Sequence, residues 1–356
     1  MNFERKNFLT NPFFKFKEII TEKNEGFGTS SMFEVIKHKN GETYLLSPYL
    51  DIKNPYSHFY HISLISLKDN QEKQRLEGHI DRIKVIRHFI DQKTSKEYLI
   101  SVDRKFKIIV WFINDNFSKI FNKIIKFGNL INDVLMFFIN GKIFIAVSAM
   151  TTNGYTKIIN INDNNEVYEI KDSWGLIIYN LSYWYNKNDE NHYIIQCGKC
   201  KIIINEYQDK GEYDKIETPN NYPINLGSIV YTRNKRDYLS FSSTFGLIYI
   251  YDLLDKNEVK KFDINKSFLI NIVKWNEKYL ITIDINIRRI LIIDLDINKI
   301  INSIKIKQIF SHERFVRKII HPLYGEALMS IGNDYKVKLY ININYKKYFH
   351  NLNYNK

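Results

Sequence analysis

Short apolar runs rich in Ile, Val, Tyr and Phe alternate along the chain with clusters of Asn, Asp, Gly and Lys. They group into seven cycles of three runs. The first cycle is SMFEVIKHKN, ETYLLSPYL and FYHISLISL, closed by KQRLEGH; the second is IDRIKVIRHF, KEYLISV and KIIVWFI. Cycles three to six open at INDVLMFFI, GLIIYNLSYWY, INLGSIVYT and FLINIVKW, and the seventh is RFVRKIIH, EALMSI and YKVKLYI. Runs of this length between turn-forming residues predict β-strands. Several third runs, KIIVWFI, CKIIINEY and RRILIIDL, have almost no polar face, which predicts strands covered on both sides. They are too short and too β-branched for buried helices. The chain is therefore expected to be all-β with little or no helix. No Pro/Gly/Ser-rich linker interrupts the cycles, so a single domain over residues 1–356 is expected, with 1–25 and 342–356 as closing strand or extension.

Composition narrows the class. A hydrophobic share of 44% and an aromatic share of 15% suffice for a large core and argue against disorder. Two Cys in 356 residues exclude a disulfide scaffold and fit a reducing compartment, so an intracellular location is expected, the cytoplasm first, with nucleus and mitochondrion as alternatives. No run approaches a membrane-spanning length. The N-terminus lacks the apolar core and cleavage site of a secretory signal. The net charge of +13 points to acidic partners, nucleic acid or membrane surfaces. AT-rich codons, which favour Ile, Asn, Lys, Tyr and Phe together, are the alternative source of that charge.

The sharpest motif lies in Ser311–Tyr340, SHERFVRKIIHPLYGEALMSIGNDYKVKLY. His312 opens it, Ser330 follows eighteen residues on, Asp334 four further, and Tyr340 six further. The second cycle repeats the register: His79 sits in Glu-Gly-His, and Ser101 precedes Trp111 by ten residues, the gap between Ser330 and Tyr340. The fifth cycle ends its third run in Tyr251-Asp252. This spacing resembles the WD-repeat family. The resemblance implies a seven-bladed β-propeller of four-stranded antiparallel blades, 40–45 residues each, which this length accommodates. In that family His, Ser, Asp and the strand-ending aromatic form a hydrogen-bonded chain inside each blade, so His79, Ser101, Trp111, His312, Ser330, Asp334 and Tyr340 take structural roles. The family's acceptor Asp falls on Lys105 in the second blade, which is therefore expected to lack the full chain. An N-terminal strand usually completes the last blade; FFKFKEII and the tail NYKKYFHNL are both candidates.

No constellation points to an enzyme. His312, Ser330 and Asp334 are the materials of a triad, but the resemblance places them inside a blade, and no GxSxG elbow is present. Cys197-Gly-Lys-Cys200 lies between two predicted strands rather than at a helix N-terminus and lacks a second ligand pair. The expectation is a tight turn with packed thiols, no metal and no cofactor. The resemblance also places the loop bearing the blade His and the turn bearing the blade Asp on one rim. Arg82, Arg104, Lys105, Lys107, Arg288, Arg289, Arg314 and Lys336 fall on these segments and form a candidate partner-binding arc. The expected function is a non-catalytic scaffold binding other proteins, acidic or phosphorylated peptides among them. RNA in a ribonucleoprotein and phosphoinositides are the alternative partners; Arg288-Arg289 resembles the paired arginines of phosphoinositide-binding propellers, with Ile290 in place of their Gly.

Overall fold

The computed structural model describes residues 16–20, 33–38, 41–48, 61–69, 71–114, 116–125, 131–149, 155–163, 165–171, 178–207, 212–217, 224–243, 245–264, 267–284, 286, 289–297, 299–305, 313–322, 325–332 and 337–342. All regular structure among them is β. After β1 (Phe16–Ile20), blade 1 comprises β2 (Glu34–Lys37), β3 (Thr43–Pro48), β4 (His61–Ser66) and β5 (Glu72–Glu77). Blade 2 comprises β6 (Ile83–Ile90), β7 (Glu97–Asp103), β8 (Lys107–Phe112) and β9 (Ser118–Ile124). Blade 3 is β10 (Ile131–Ile139), β11 (Lys142–Ala149), β12 (Tyr155–Asn160) and β13 (Asn165–Lys171). Blade 4 is β14 (Ile178–Asn186), β15 (Asn191–Gly198), β16 (Lys201–Glu206) and β17 (Glu212–Glu217). Blade 5 is β18 (Ile224–Arg233), β19 (Arg236–Ser243), β20 (Leu247–Asp252) and β21 (Asn257–Asp263). Blade 6 is β22 (Leu269–Lys274), β23 (Tyr279–Asp284), β24 (Arg289–Asp294) and β25 (Lys299–Lys305); β26 (Glu313–His321), β27 (Gly325–Gly332) and β28 (Val337–Asn342) build blade 7. In each of the first six blades successive strands are neighbours; in the seventh, β1 lies beside β28 as the outer strand. Seven such four-stranded sheets are the blades of a β-propeller.

By their contacts the residues fall into two compact units, one of residues 25–230 and one of residues 231–356 with 1–24. Within the second unit β1 pairs antiparallel with β28, Glu18 opposite Tyr340. The N-terminal candidate FFKFKEII thus completes blade 7, and pairing satisfies the backbone groups of β28 that an edge would leave open. The tail NYKKYFHNL lies outside the described residues.

The unit of residues 25–230 shows why third strands are solidly apolar. Along β8, Ile108 and Val110 pack into a cluster with Val134 and Ile145 of blade 3. Ile109 and Trp111, pointing the other way, pack with Leu46 and Leu64 of blade 1. Alternation in a strand sends neighbours to opposite faces, and here each face meets another blade. The outer strands are polar because one edge meets solvent: every residue of β5 except Leu76 is exposed.

Two turns show how tightly the second-to-third hairpins are built. In blade 5 the Gly246 amide donates to the Ser243 carbonyl, and Gly246 has φ +81°. A Cβ there would meet the Ile264 carbonyl oxygen at 2.4 Å. In blade 2, Phe106 holds the equivalent place at φ +66°, its amide donating to the Asp103 carbonyl. Gly246→Ala is expected to cost about 1–3 kcal/mol, because it combines left-handed strain with a backbone clash. Urea unfolding checks this; a loss below about 0.5 kcal/mol would show that the turn can relax.

Candidate interaction site

Blade 2 carries a closed polar chain. The Trp111 indole Nε1–H donates to Ser101 Oγ at 2.9 Å, and Ser101 Oγ lies 2.7 Å from His79 Nε2. His79 Nδ1 lies 3.3 Å from Asp103 Oδ2. One assignment of protons satisfies all three contacts: Trp111 N–H to Ser101, Ser101 O–H to Nε2, and Nδ1–H to Asp103. Burial lowers the His79 pKa, outweighing Asp103, and keeps the ring neutral, as this assignment requires. Burial by itself raises the Asp103 carboxyl, but hydrogen bonds from His79 and from the Ile80 and Lys107 amides outweigh it and hold it below its ordinary value.

The expectation that blade 2 lacks its acceptor is corrected. Asp103, two residues before Lys105, ends β7 and takes that role. Its Oδ2 accepts from the amides of Ile80 (3.0 Å) and Asp81 (3.3 Å), and its Oδ1 from those of Lys105 (2.9 Å) and Lys107 (3.0 Å). The blade-joining loop before β6 and the β7–β8 turn are thereby tied to one carboxylate. The Arg104 amide adds a 3.0 Å bond to the Arg82 carbonyl. Asp103 is directed inward and buried, while Arg104 and Lys105 are exposed on the same loops and Lys107 is half-buried. Arg82, Arg104, Lys105 and Lys107 therefore share one end of blade 2.

The other residues of the arc are placed differently. Arg289 opens β24, and its Nη1 donates to Ser303 Oγ at 3.1 Å. Arg314 lies in β26, at the bulge between Glu313 and Phe315, rather than on the preceding loop. Arg288, His312, Asp334 and Lys336 lie outside the described residues. Ser330 stands opposite Val316 and Tyr340 opposite Leu328 in the backbone register of blade 7; their side chains are outside the described residues.

A second polar chain, not apparent from the sequence, crosses the first strands of blades 2 to 5 within residues 25–230. Arg87 Nη2 donates to Asp133 Oδ2 at 2.6 Å. The same oxygen accepts from Asn180 Nδ2 at 3.1 Å and the Leu181 amide at 2.8 Å. Ser228 Oγ then donates to Asn180 Oδ1 at 2.6 Å. Bulges at Ile131/Asp133 and Ile178/Asn180 re-aim the chain at two of these links. Asp133 is fully buried; burial raises its carboxyl pKa, against the pull of Arg87 and the backbone amides.

Cys197 ends this chain, its Sγ donating to Ser228 Oγ at 3.1 Å. Burial pushes its thiol pKa up to about 12, the reverse of what a reactive or metal-binding thiolate needs. Cys200 is half-buried, and the two are not joined by a disulfide.

No protein-family model and no curated protein sequence matches this chain. Solved structures do. Raptor from Chaetomium thermophilum is similar at a TM-score of 0.62 and 12% identity, over 86% of this chain and 28% of that one. BBS1N, crystallised in complex with ARL6DN, is similar at a TM-score of 0.64 and 8% identity, over 89% of this chain and 92% of that one. The chain thus spans little more than a quarter of the Raptor chain's length and nearly all of BBS1N. At these identities the likeness shows the fold, a β-propeller. Among the described residues no helix is long and apolar enough to cross a membrane.

Proposed function

We propose that this chain is a WD-repeat-like propeller of one closed domain that acts as a non-catalytic scaffold, docking a protein partner on the rim where the blade His and Asp loops meet. The observation that carries the reading is the division of charge at the end of blade 2. One buried carboxylate, Asp103, fixes both loops from inside, and the cations Arg104, Lys105 and Lys107 remain on the outside of a rigid support. Binding residues are characteristically held this way, on loops fixed by a scaffold. A non-catalytic role is supported by His79, which is buried with both ring nitrogens engaged by Ser101 and Asp103. BBS1N supports the reading as a propeller of similar extent crystallised with another protein. Acidic or phosphorylated segments suit the rim, since Arg pairs bidentately with carboxylate and phosphate.

Simultaneous charge reversal at Arg104, Lys105 and Lys107 is expected to weaken binding of the captured native partner, most at low salt, where surface charges are least screened. Binding of a generic RNA and of phosphoinositide vesicles, measured beside it, separates the competing partners. Unchanged partner affinity in the triple variant would contradict a role for the rim.

A further inference from the structure

A cavity of about 220 Å³ opens between blades 3 and 4, at the strand ends opposite the rim turns. Ile139 and Asn140, where β10 turns into β11, line it from blade 3. Glu190, Asn191 and His192, where β14 turns into β15, line it from blade 4, with Glu206 at the end of β16. His192 is set for one role. Its Nδ1 lies 2.6 Å from the Tyr183 hydroxyl. Burial raises the Tyr183 pKa and lowers that of His192, so the phenol keeps its proton and the imidazole stays neutral. The Tyr183 O–H therefore donates to Nδ1, and the proton of the imidazole sits on Nε2. Among the described residues no group accepts from Nε2. Tyr183 and Tyr185 flank the ring at centroid distances of 6.0 and 4.9 Å, and Tyr185 is 39% exposed.

The lining selects its ligand by exclusion. An apolar ligand gains little, since Ile139 is the one apolar residue among the six. The Glu190 carboxylate disfavours an anion. A cation would face the Nε2–H donor and the field of a chain of net charge +13. A neutral ligand that both donates and accepts meets no such obstacle. Asn140 and Asn191 offer both functions, Glu190 accepts and His192 donates. The volume is below the roughly 300–1,000 Å³ of drug-sized sites, so it suits one small ring. We infer that this cavity binds a single sugar ring, whose neighbouring hydroxyls each donate and accept and whose C–H face rests on the exposed Tyr185 ring beside His192. A free monosaccharide and the end of a glycan share this chemistry. The cavity and the rim lie at opposite strand ends, so neither reading depends on the other.

The test is saturation-transfer NMR on the full chain with the methyl glycosides of glucose, galactose and mannose, and with lysine amide as the cationic control. At least one glycoside is expected to bind, with a Kd of about 1 mM for a ligand of this size, and lysine amide is not. A disaccharide ending in the preferred sugar binds as tightly if the natural ligand is a glycan end, and more weakly if it is the free sugar; either result supports the site. His192→Phe keeps a ring between the two tyrosines and removes the Nε2–H, and is expected to weaken the glycoside about tenfold or more. Should that variant lose stability, Glu190→Ala, on an exposed turn, serves in its place with a weakening of about fivefold or more. No binding by any of the three glycosides, binding of lysine amide as tight as theirs, or unchanged affinity in both variants would overturn the inference and leave the rim reading standing.

Discussion

Replacing Asp133 by Ala is expected to cost about 3–5 kcal/mol, a large part of the total stability of a typical domain. The side chain is fully buried and accepts from Arg87, Asn180, the Leu181 amide and its neighbour's amide at Val134. Its loss leaves donors from three blades without their acceptor and a partly buried guanidinium without its counter-charge. Asp133→Asn is expected to cost nearly as much, because it keeps the shape but turns an acceptor into a donor facing Arg87 and Asn180. Arg87 is 22% exposed and can reach water in part, so Arg87→Met is expected to cost less than Asp133→Ala. The double variant should cost less than the sum of the two, since each removes what the other leaves unpaired. Urea unfolding of the four proteins measures this; a loss below about 1 kcal/mol for Asp133→Ala would show that the chain of hydrogen bonds does not tie these blades.

The second large effect is expected inside blade 2. Asp103→Ala is expected to cost about 3 kcal/mol or more, because five donors converge on that carboxylate and its imidazole partner is buried. Lys105→Ala, at the position where family spacing places the acceptor, is expected to stay within about 0.5 kcal/mol. The pH dependence follows from the directions of two pKa shifts. His79 is lowered by burial, so below about pH 6.5 the unfolded chain takes up a proton that the native one resists, and stability falls. Asp103 is held below its ordinary value, so its contribution is complete above about pH 3.9 and is lost as the pH falls through its lower native value. Both terms weaken the fold on acidification. In His79→Gln the part of that loss between about pH 6.5 and 4 is expected to shrink. Stability rising on acidification through this window, or equal losses from Asp103→Ala and Lys105→Ala, would contradict the assigned network.

The strand rhythm was legible because middle strands such as β3, β8 and β20 bury both faces, which forces long β-branched runs into the sequence. The outer strands were not, since a strand with an edge in water, such as Glu72–Glu77, reads like a loop. Ser101 and Trp111 were legible from a ten-residue gap that a hairpin imposes, and His79 from its place in Glu-Gly-His. Asp103 was set aside as two residues early because the family's spacing counts into the turn, whereas this carboxylate sits on the last residue of the strand and reaches both loops from there. A signal was present: Tyr98-Leu-Ile-Ser-Val-Asp103 recurs as Tyr279-Leu-Ile-Thr-Ile-Asp284. The two carboxylates share one contact, Asp284 Oδ1 accepting from the Asn286 amide as Asp103 Oδ1 accepts from Lys105. The third strands of blades 5 and 6 also share an ending. Asp252 and Asp294 each accept two amides of the following turn, so Tyr251-Asp252 has a counterpart at Ile293-Asp294 that has no aromatic to mark it. The Arg87–Asp133–Asn180 chain had no local signal, because its members stand 46 and 47 residues apart and meet only when blades stack.

Cross-linking mass spectrometry of the chain bound to its native partner addresses the binding reading most directly. Blade 2 carries lysines at both ends: Lys105 and Lys107 at the β7–β8 turn, Lys93 and Lys96 at the opposite β6–β7 loop. A partner docked on the basic rim gives cross-links from Lys105 and Lys107 and leaves Lys93 and Lys96 reactive as in the unbound chain. Cross-links from Lys93 and Lys96, with Lys105 and Lys107 untouched, would place the partner on the other face and contradict the account.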